Sequence, residues 1–426
     1  MAFSTEFISE LKRRCNLITI ASESLKLKKS GKAYVGLCPF HADKDPSLRI
    51  DGEAGRYKCW SCGAEGDTLT WIMAIQSISF YEAVKQLAQI TGLPLPTDNK
   101  NGNSVQASYL KSLVKVLRRA GDIYQHGLTR SLTVTKYLIE VRGLTPETIK
   151  SWGLGAVSRG ICEFIHSEQK QLIDIGLIGL NENGSVYERL RHRITIPIFN
   201  HRGYLVGFAG RRIEMAIPLG PKFINPPDTL LFEKRRILFG YHRAQTAIRE
   251  SKLAIVVEGY FDVIALHQAG EQRAIAGMGT ATTVEQLQTL FNVTNKIVFC
   301  YDGDKAGLAA VRRLLPRLLS MIEDGQQCAF LFLPNGLDPD EYIRQFGLEA
   351  WNLLLQQSQS LSSLLLQYIT PHLQADLDVE SQVKAVLRIE KICNAITKAP
   401  YFRQIFQNEA ERRYGVTISR ENHEPA

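Results

Sequence analysis

No apolar run in the 426 residues is long enough to cross a membrane, which takes about 20 consecutive apolar residues. The N-terminal stretch MAFSTEFISELKRRC has helical patterning and no apolar segment ahead of a small-residue cleavage site, so it is not a secretory signal. Cysteine is scarce. Of eight, Cys15, Cys162, Cys300, Cys328 and Cys393 are scattered, which excludes a disulfide-stapled scaffold and fits a reducing cytoplasm. Cys300 and Cys328 lie in apolar runs and read as core residues. No internal repeat is visible. Acids are outnumbered, 43 against 51 Lys and Arg, for a net charge of +8. That excess is compatible with a polyanionic partner but does not by itself establish one. What is plentiful is apolar side chain, at 45% of residues, enough for several domains with real cores.

The remaining three cysteines sit together. Cys38 and His41 form Cys-x2-His; after seventeen intervening residues Cys59 and Cys62 form Cys-x2-Cys. Two residues between ligands let a tight turn aim both at one ion, and the long gap returns the chain with the second pair. Four protein ligands leave no open position, so one structural Zn2+ is expected. The intervening SLRIDGEAGRYKCW reads as a hairpin. Tyr57 and Trp60, among Lys44, Arg49, Arg56 and Lys58, are candidates to stack unpaired bases; the alternative is that the aromatics form the ribbon's own core.

Two helical segments follow, TLTWIMAIQSISF and YEAVKQLAQITG, with Ser79 and Glu82 spaced as a capping box. The Pro, Asn, Gly and Ser content of LPLPTDNKNGNSVQAS then marks a linker. Further on, Thr145-Pro146 opens a short helix that Gly153 closes. Between Val186 and Arg243 there are eleven Lys or Arg against four Asp or Glu. Strand alternation is expected to place Arg189, Arg191 and Arg193 on one face. From Leu253 apolar strands alternate with helices: LAIVVEG, YFDVIALHQAG, AIAGMG, a helix opened by Thr282 with Glu285, KIVFCYDGD, a long helix containing Pro316, and CAFLFLP. This is the pattern of a parallel sheet covered on both faces. Residues from about Glu349 to Ser419 read as helices only.

In such sheets the functional crevice lies at the carboxyl ends of the strands. Glu258 ends the first strand, Asp302 and Asp304 the third, and Asp338 and Asp340 follow the fourth. Asp262, one helical turn past Glu258, can share the crevice. So many carboxylates repel unless cations lie between them, and an all-oxygen set suits Mg2+ or Mn2+.

These residues carry a resemblance. EGYFDV, YDGDKAG and LDPDEY resemble the Toprim fold of bacterial primases, topoisomerases and some nucleases. CPFHADKDPS with YKCWSCG resembles the zinc-binding domain of bacterial replicative primases of the DnaG type. YLIEVRGL, YERLRHRITIPI, GYLVGFAGR, GPKFINPPDT and FEKRRILFGY are similar to that family too, in one colinear order to about residue 415. The resemblance implies a DNA primase, a DNA-directed RNA polymerase making short RNA primers on a single-stranded DNA template from ribonucleoside triphosphates. It implies Glu258, Asp302 and Asp304 as catalytic metal-binding acids, with Asp338 and Asp340 completing the set. It implies Arg142, Arg189, Arg191, Arg211, Lys222 and Lys234 as nucleotide and template contacts. Phe223 stands where the family usually has Tyr, and Arg235 where it often has Gly. The family's C-terminal helicase-docking domain is not expected after ENHEPA, so no replicative helicase is expected by that route.

The expected fold is a multi-domain α+β and α/β chain. A zinc ribbon for template recognition covers 1–96 and a linker 97–108. A mixed basic subdomain covers 109–251, a Toprim parallel-sheet subdomain 252–345, and a helical subdomain 346–426. A cytoplasmic monomer without membrane contact is expected. The rival readings are a Toprim nuclease or topoisomerase-like enzyme, and a non-catalytic single-stranded-DNA-binding adaptor.

Overall fold

The computed structural model describes residues 3–418, apart from 4, 23, 32, 42, 44, 53, 77, 79, 94–99, 158–160, 162–167, 182, 214–220, 279–281, 304 and 370–377. Two compact units divide between Lys111 and Ser112. No described helix is long and apolar enough to cross a membrane.

The first unit holds helices α1 (Thr5–Arg14) and α2 (Leu17–Ser22), then an antiparallel meander. Its strands are β1 (Lys28–Ser30), β2 (Ala33–Gly36), β3 (Leu48–Asp51), β4 (Arg56–Cys59) and β5 (Glu65–Asp67). Helices α3 (Thr68–Gln76) and α4 (Phe80–Thr91) follow. The expected hairpin is β3–β4, with Ile50 opposite Tyr57 and Leu48 opposite Cys59. Period-2 alternation turns Leu48, Ile50, Tyr57 and Cys59 inward and Arg49, Asp51, Arg56 and Lys58 outward. The inward residues join Leu11, Trp71, Ile72, Val84 and Leu87 in one core. Tyr57 therefore does not serve as an exposed stacking platform, contrary to expectation. It shares a strand face with the ligand Cys59 and meets Trp71 edge-on at 4.9 Å, a geometry aromatic pairs favour. The proposed cap Ser79 lies outside the described residues.

Helix α5 (Lys100–Thr129) begins within the segment expected to be a linker. Extending a helix from the periodic stretch after Ser108 is easier than nucleating one, which accounts for helical backbone over 100–108. The second unit continues with α6 (Leu132–Lys136), a π-helical turn (Tyr137–Val141) and α7 (Pro146–Ser151). Thr145 caps α7 by accepting from the Thr148 amide, as its sequence requires. After β6 (Gly155–Ala156) and α8 (Gln169–Asp174) comes a hairpin of β7 (Ile178–Leu180) and β8 (Val186–Glu188). Strands β9 (Arg193–Phe199), β10 (Leu205–Arg212) and β11 (Phe223–Ile224) complete a sheet ordered β11-β10-β9-β6. The expected arginine face is not formed. Arg189 to His192 make a turn, His192 takes a positive φ of 58°, and Arg193 enters β9 buried.

Helix α9 (Tyr241–Ser251) leads into the parallel sheet: β12 (Ala254–Val257), α10 (Tyr260–Gln268), β13 (Ala274–Ala276), α11 (Val284–Phe291), β14 (Lys296–Tyr301), α12 (Lys305–Met321) and β15 (Gln327–Phe332). The order is β13-β12-β14-β15, with β16 (Gln359–Ser360) added antiparallel at the edge. The chain passes outward from β12 to β13 and then returns to β14 on the other side. This makes a topological switch point between β12 and β14. Thr283, not Thr282, caps α11, with Gln286 as its partner. Helices α13 (Pro339–Gln356), α14 (Leu361–Ile369), α15 (Val379–Ala395) and α16 (Pro400–Tyr414) follow, so among the described residues β16 is the strand that departs from the all-helical expectation. Cys300 and Cys328 are buried, as expected.

Candidate metal centres

In the first unit, Cys38, His41, Cys59 and Cys62 bring one ligand atom each to within 4.8 Å of one another. The Cys38 and Cys62 sulfurs are 3.8 Å apart, and His41 Nδ1 is 4.0 Å from the Cys59 sulfur. Burial and the neighbouring thiols push Cys38 up to about 12. Burial also acts to raise Cys59, but its contact with the Ser47 hydroxyl and a hydrogen bond from the Cys62 amide outweigh it and hold that thiol at about 6. One thiol ionises at its neighbour's expense, and a cation among them lets all ionise together. A soft thiolate and imidazole set at this spacing fits zinc.

Asp43 organises the set, and sequence reasoning passed over it. Its Oδ2 accepts from the Cys38 amide at 2.8 Å and the Ser47 hydroxyl at 2.6 Å. Its Oδ1 lies 3.4 Å from His41 Nε2, the ring nitrogen away from the cysteines. A carboxylate on the far nitrogen fixes the tautomer of a metal-binding histidine. The signal was present in HADKDPS: an acid two residues after the histidine ligand. Trp60 is 73% exposed, and the Lys58 ammonium sits 4.9 Å from its ring centre.

In the second unit the acids gather at the switch point. Glu258 follows β12 and is exposed; Asp302 follows β14 and is half-buried. Asp262 is buried in the first turn of α10, accepting from the Gly259 amide at 2.8 Å. Burial, then the Asp338, Asp340 and Asp302 charges, raise its carboxyl from 3.8 to about 8. The buried Cys300 thiol is raised by burial and then by Asp262, Asp302 and Glu258. These mutual effects place the carboxylates around the carboxyl ends of β12 and β14. Among the described residues they do not close to the spacing of the cysteine set. Asp304 lies outside the described residues.

Glycine shapes this edge. A Cβ on Gly303 would lie 2.1 Å from the Leu333 carbonyl oxygen, and one on Gly307 2.2 Å from that of Asp302. Only glycine lets the DGDKAG turn press against β15 and its own strand end.

Asp338 caps α13, accepting from the Glu341 amide at 2.7 Å. Asp340 departs from its expected role. It is 1% exposed, and its two oxygens meet Arg142 Nη1 at 2.7 Å and Arg344 Nε at 2.8 Å. A buried carboxylate needs paired charge, and here two guanidiniums supply it. Arg142, expected at phosphate, is correspondingly tied to Asp340, and its Nε donates to the Tyr137 hydroxyl at 3.0 Å.

Arg211 is also buried. Its guanidinium faces Phe223 at 4.9 Å, Phe261 at 5.4 Å and Tyr137 at 5.7 Å. Arg142 shares Phe261 at 5.0 Å and Tyr137 at 5.8 Å. The two cations thus converge on rings of α10 and the π turn, joining the antiparallel sheet to the acids' helix. Aromatic faces tolerate guanidinium where water is excluded. Next to Phe223, Lys222 is exposed. Two residues on, Asn225 accepts from the Tyr260 hydroxyl at 2.5 Å and donates to the Met278 carbonyl at 3.0 Å. Arg193 Nη1 donates to the Pro221 carbonyl at 2.9 Å. Asn225, Tyr260 and Phe261 were not singled out from sequence, because their partners lie 35 or more residues away. Lys234 is half-buried, Arg189 half-buried in its turn, and Arg191 exposed.

Comparison with known proteins places each region. Residues 3–103 match the CHC2 zinc finger, 123–245 the N-terminal domain of the DNA primase catalytic core, and 255–343 a Toprim-like domain. The DNA primase of Pasteurella multocida is 35% identical over 374 residues, 86% of this chain and 64% of the relative's length. The chain thus spans a little under two thirds of that relative. The crystal structure of the zinc-binding and RNA polymerase domains of the Aquifex aeolicus primase is 30% identical. It superposes with a TM-score of 0.61 over 97% of this chain and 98% of its own. A DnaG primase catalytic domain solved bound to single-stranded DNA is 32% identical, with a TM-score of 0.64 over 72% of this chain and 99% of its own.

Proposed function

The chain belongs to the DnaG-type primases, and from that premise we propose that it synthesises short RNA primers on single-stranded DNA by metal-dependent nucleotidyl transfer. The observation that carries the reading is the gathering of carboxylates at the switch point, where burial and then the neighbouring acids raise Asp262 to about 8. Such crowding fits hard divalent cations, which take oxygen ligands and keep room for phosphate. Glu258, Asp302, Asp304 and Asp338 would hold Mg2+ or Mn2+. When bound, these ions would lower the pKa of the attacking 3'-hydroxyl and neutralise charge on the leaving pyrophosphate.

The chain's own side chains do the positioning on which phosphoryl transfer chiefly depends. Asp340 and Arg344 hold Arg142 against Phe261, so that its charge is aimed rather than mobile. Arg211 is held by the same rings. Lys222 and Lys234 supply ammonium groups to the triphosphate. Arg189 and Arg191 would contact template phosphates; a primase catalytic domain similar to this one has been solved bound to single-stranded DNA. Phe223 lacks the hydroxyl usual at this position and packs its ring on Arg211 instead. In the first unit, one structural zinc holds the ribbon whose Trp60 and Lys58 stack and pair with unpaired bases to choose the start site.

The test is incubation with single-stranded DNA, labelled ribonucleotides and Mg2+. Short RNA supports the proposal. Cleaved DNA points to a nuclease and an inert bound strand to an adaptor, and either overturns it.

A further inference from the structure

Gln286 on α11 is 2% exposed, and both ends of its amide are used. Oε1 accepts from the Thr283 amide at 3.0 Å, an ordinary helix-capping contact. Nε2 points out of the helix and donates to the carbonyls of Ile237 at 2.7 Å and Lys234 at 3.3 Å. The Thr283 hydroxyl donates to the Arg235 carbonyl at 2.6 Å while accepting from the Gln286 amide at 3.2 Å. Two neighbouring side chains of the Toprim subdomain therefore hold three carbonyls of the turn bearing Lys234, about 50 residues earlier in the chain. Asp228 takes the Lys234 amide at 2.6 Å from the other side. Phe239 then pairs with Ala276, fastening the end of the same loop to the edge of the parallel sheet.

A cap alone does not require this arrangement. Thr283 caps α11 without help from the outward nitrogen, and a buried apolar residue at 286 would avoid desolvating an amide. We propose that Gln286 and Thr283 are positioning residues that set the Lys234 ammonium relative to the carboxylates at the strand ends, for contact with the phosphates of the incoming nucleoside triphosphate. The inference rests on the reading of Lys234 given above. It adds that the register between basic loop and acids is held by hydrogen bonds from α11, beyond the loop's own contacts through Asp228 and Glu233. Inside the Lys234-Arg235-Arg236 turn the Arg236 amide donates to the Glu233 carbonyl at 3.0 Å and Glu233 lies 3.1 Å from the Arg236 guanidinium; these contacts shape the turn locally, and the bonds from α11 set where it sits against the parallel sheet.

The experiment measures primer synthesis and nucleotide KM for Lys234→Ala, Gln286→Leu, Thr283→Val and Thr283→Ser, with melting temperature followed throughout. Gln286→Leu and Thr283→Val should raise the nucleotide KM about tenfold with kcat changed less than about threefold, as expected for misplaced ground-state and transition-state binding. Thr283→Ser, which keeps the hydroxyl, should restore the wild-type KM. In a Lys234→Ala background, Gln286→Leu should add less than about twofold, because no ammonium remains to be placed. An equal rise in both backgrounds, or a KM unchanged by Gln286→Leu and Thr283→Val, overturns the positioning role. If Lys234→Ala itself leaves KM unchanged, the reading of Lys234 falls and the inference with it. If Gln286→Leu fails to fold, the Thr283 pair decides alone: Val raised and Ser restored supports the role, and any other pattern overturns it.

Discussion

The two metal-ligand sets of this chain are built in opposite ways. The zinc set comes from residues 24 apart in sequence at most, on two turns beside one hairpin, and its atoms lie within 4.8 Å of one another. The proposed acid set runs from Glu258 to Asp338, across the ends of two strands and the start of a helix, with Glu258 exposed and Asp302 and Asp338 half-buried. The first is closed and supported by Asp43 and Ser47. In the second, Glu258 is exposed and Asp302 and Asp338 are half-buried, so the acids are not enclosed by protein. Closure suits a metal that holds structure, and openness suits metals that must share their oxygens with a reactant. A short spacing encodes the closed site directly. The open site exists only once the sheet has folded and reversed direction between β12 and β14.

The sharpest way to break the contrast is to remove a closed-set ligand. Cys59→Ser should lose the zinc and unfold the first unit, measured as zinc per chain and as loss of its Trp60 and Trp71 fluorescence signals. The second unit should keep its own melting transition. Zinc retained at one per chain would remove Cys59 from the ligand set. A smaller effect is expected from Asp43→Ala. It leaves all four ligands and removes the carboxylate beside His41, so zinc affinity should fall about 10–100-fold by competition with a chelating dye. An unchanged affinity would reduce Asp43 to a loop-ordering role.

On the open side, Asp262→Asn addresses charge crowding. The folded-state carboxyl titrates at about 8, above its ordinary 3.8, so the folded protein binds a proton that the unfolded chain has lost. Wild-type stability should therefore fall as pH rises through that window, and the Asn variant should not share this loss. Denaturant unfolding at several pH values, without added divalent ion, should show the variant gaining on wild type as pH rises. Parallel profiles would mean that burial and the neighbouring acids do not raise Asp262. The smallest effect is reserved for a surface charge: Arg191→Ala should make the salt dependence of single-stranded DNA binding shallower by about one in the log–log slope. No change in slope would put Arg191 off the template track.

Much of this was legible in the sequence, for reasons that differ by region. Spacing alone identified the zinc ligands, because a turn of two residues is a local constraint. The β3–β4 hairpin and the β12–β15 strands were legible from apolar pattern, which a buried sheet imposes on every strand. Tyr57 was misjudged because its exposure depends on which face Cys59 takes, a matter of register rather than composition. The Arg189 series was misjudged because His192 turns the chain where alternation predicted a strand. Asp340 and Arg142 were both recognised as site residues, but their pairing was invisible: 198 positions separate them. Long separations likewise hid the contacts of Phe261 with Arg142 and Arg211 and the hold of Gln286 on the Lys234 turn, 52 positions away. Interactions within a few residues leave a pattern, whereas contacts made by packing leave only the residue types.

The central claim is that the closed set serves structure and the open set serves chemistry. The most direct measurement is made on Asp302→Asn: zinc content, melting temperature, single-stranded DNA affinity and primer synthesis on one preparation. The account predicts one zinc per chain, a melting temperature equal to or above wild type because a like charge has been removed, unchanged DNA binding, and primer synthesis reduced at least about 10³-fold. Primer synthesis near the wild-type rate would contradict it.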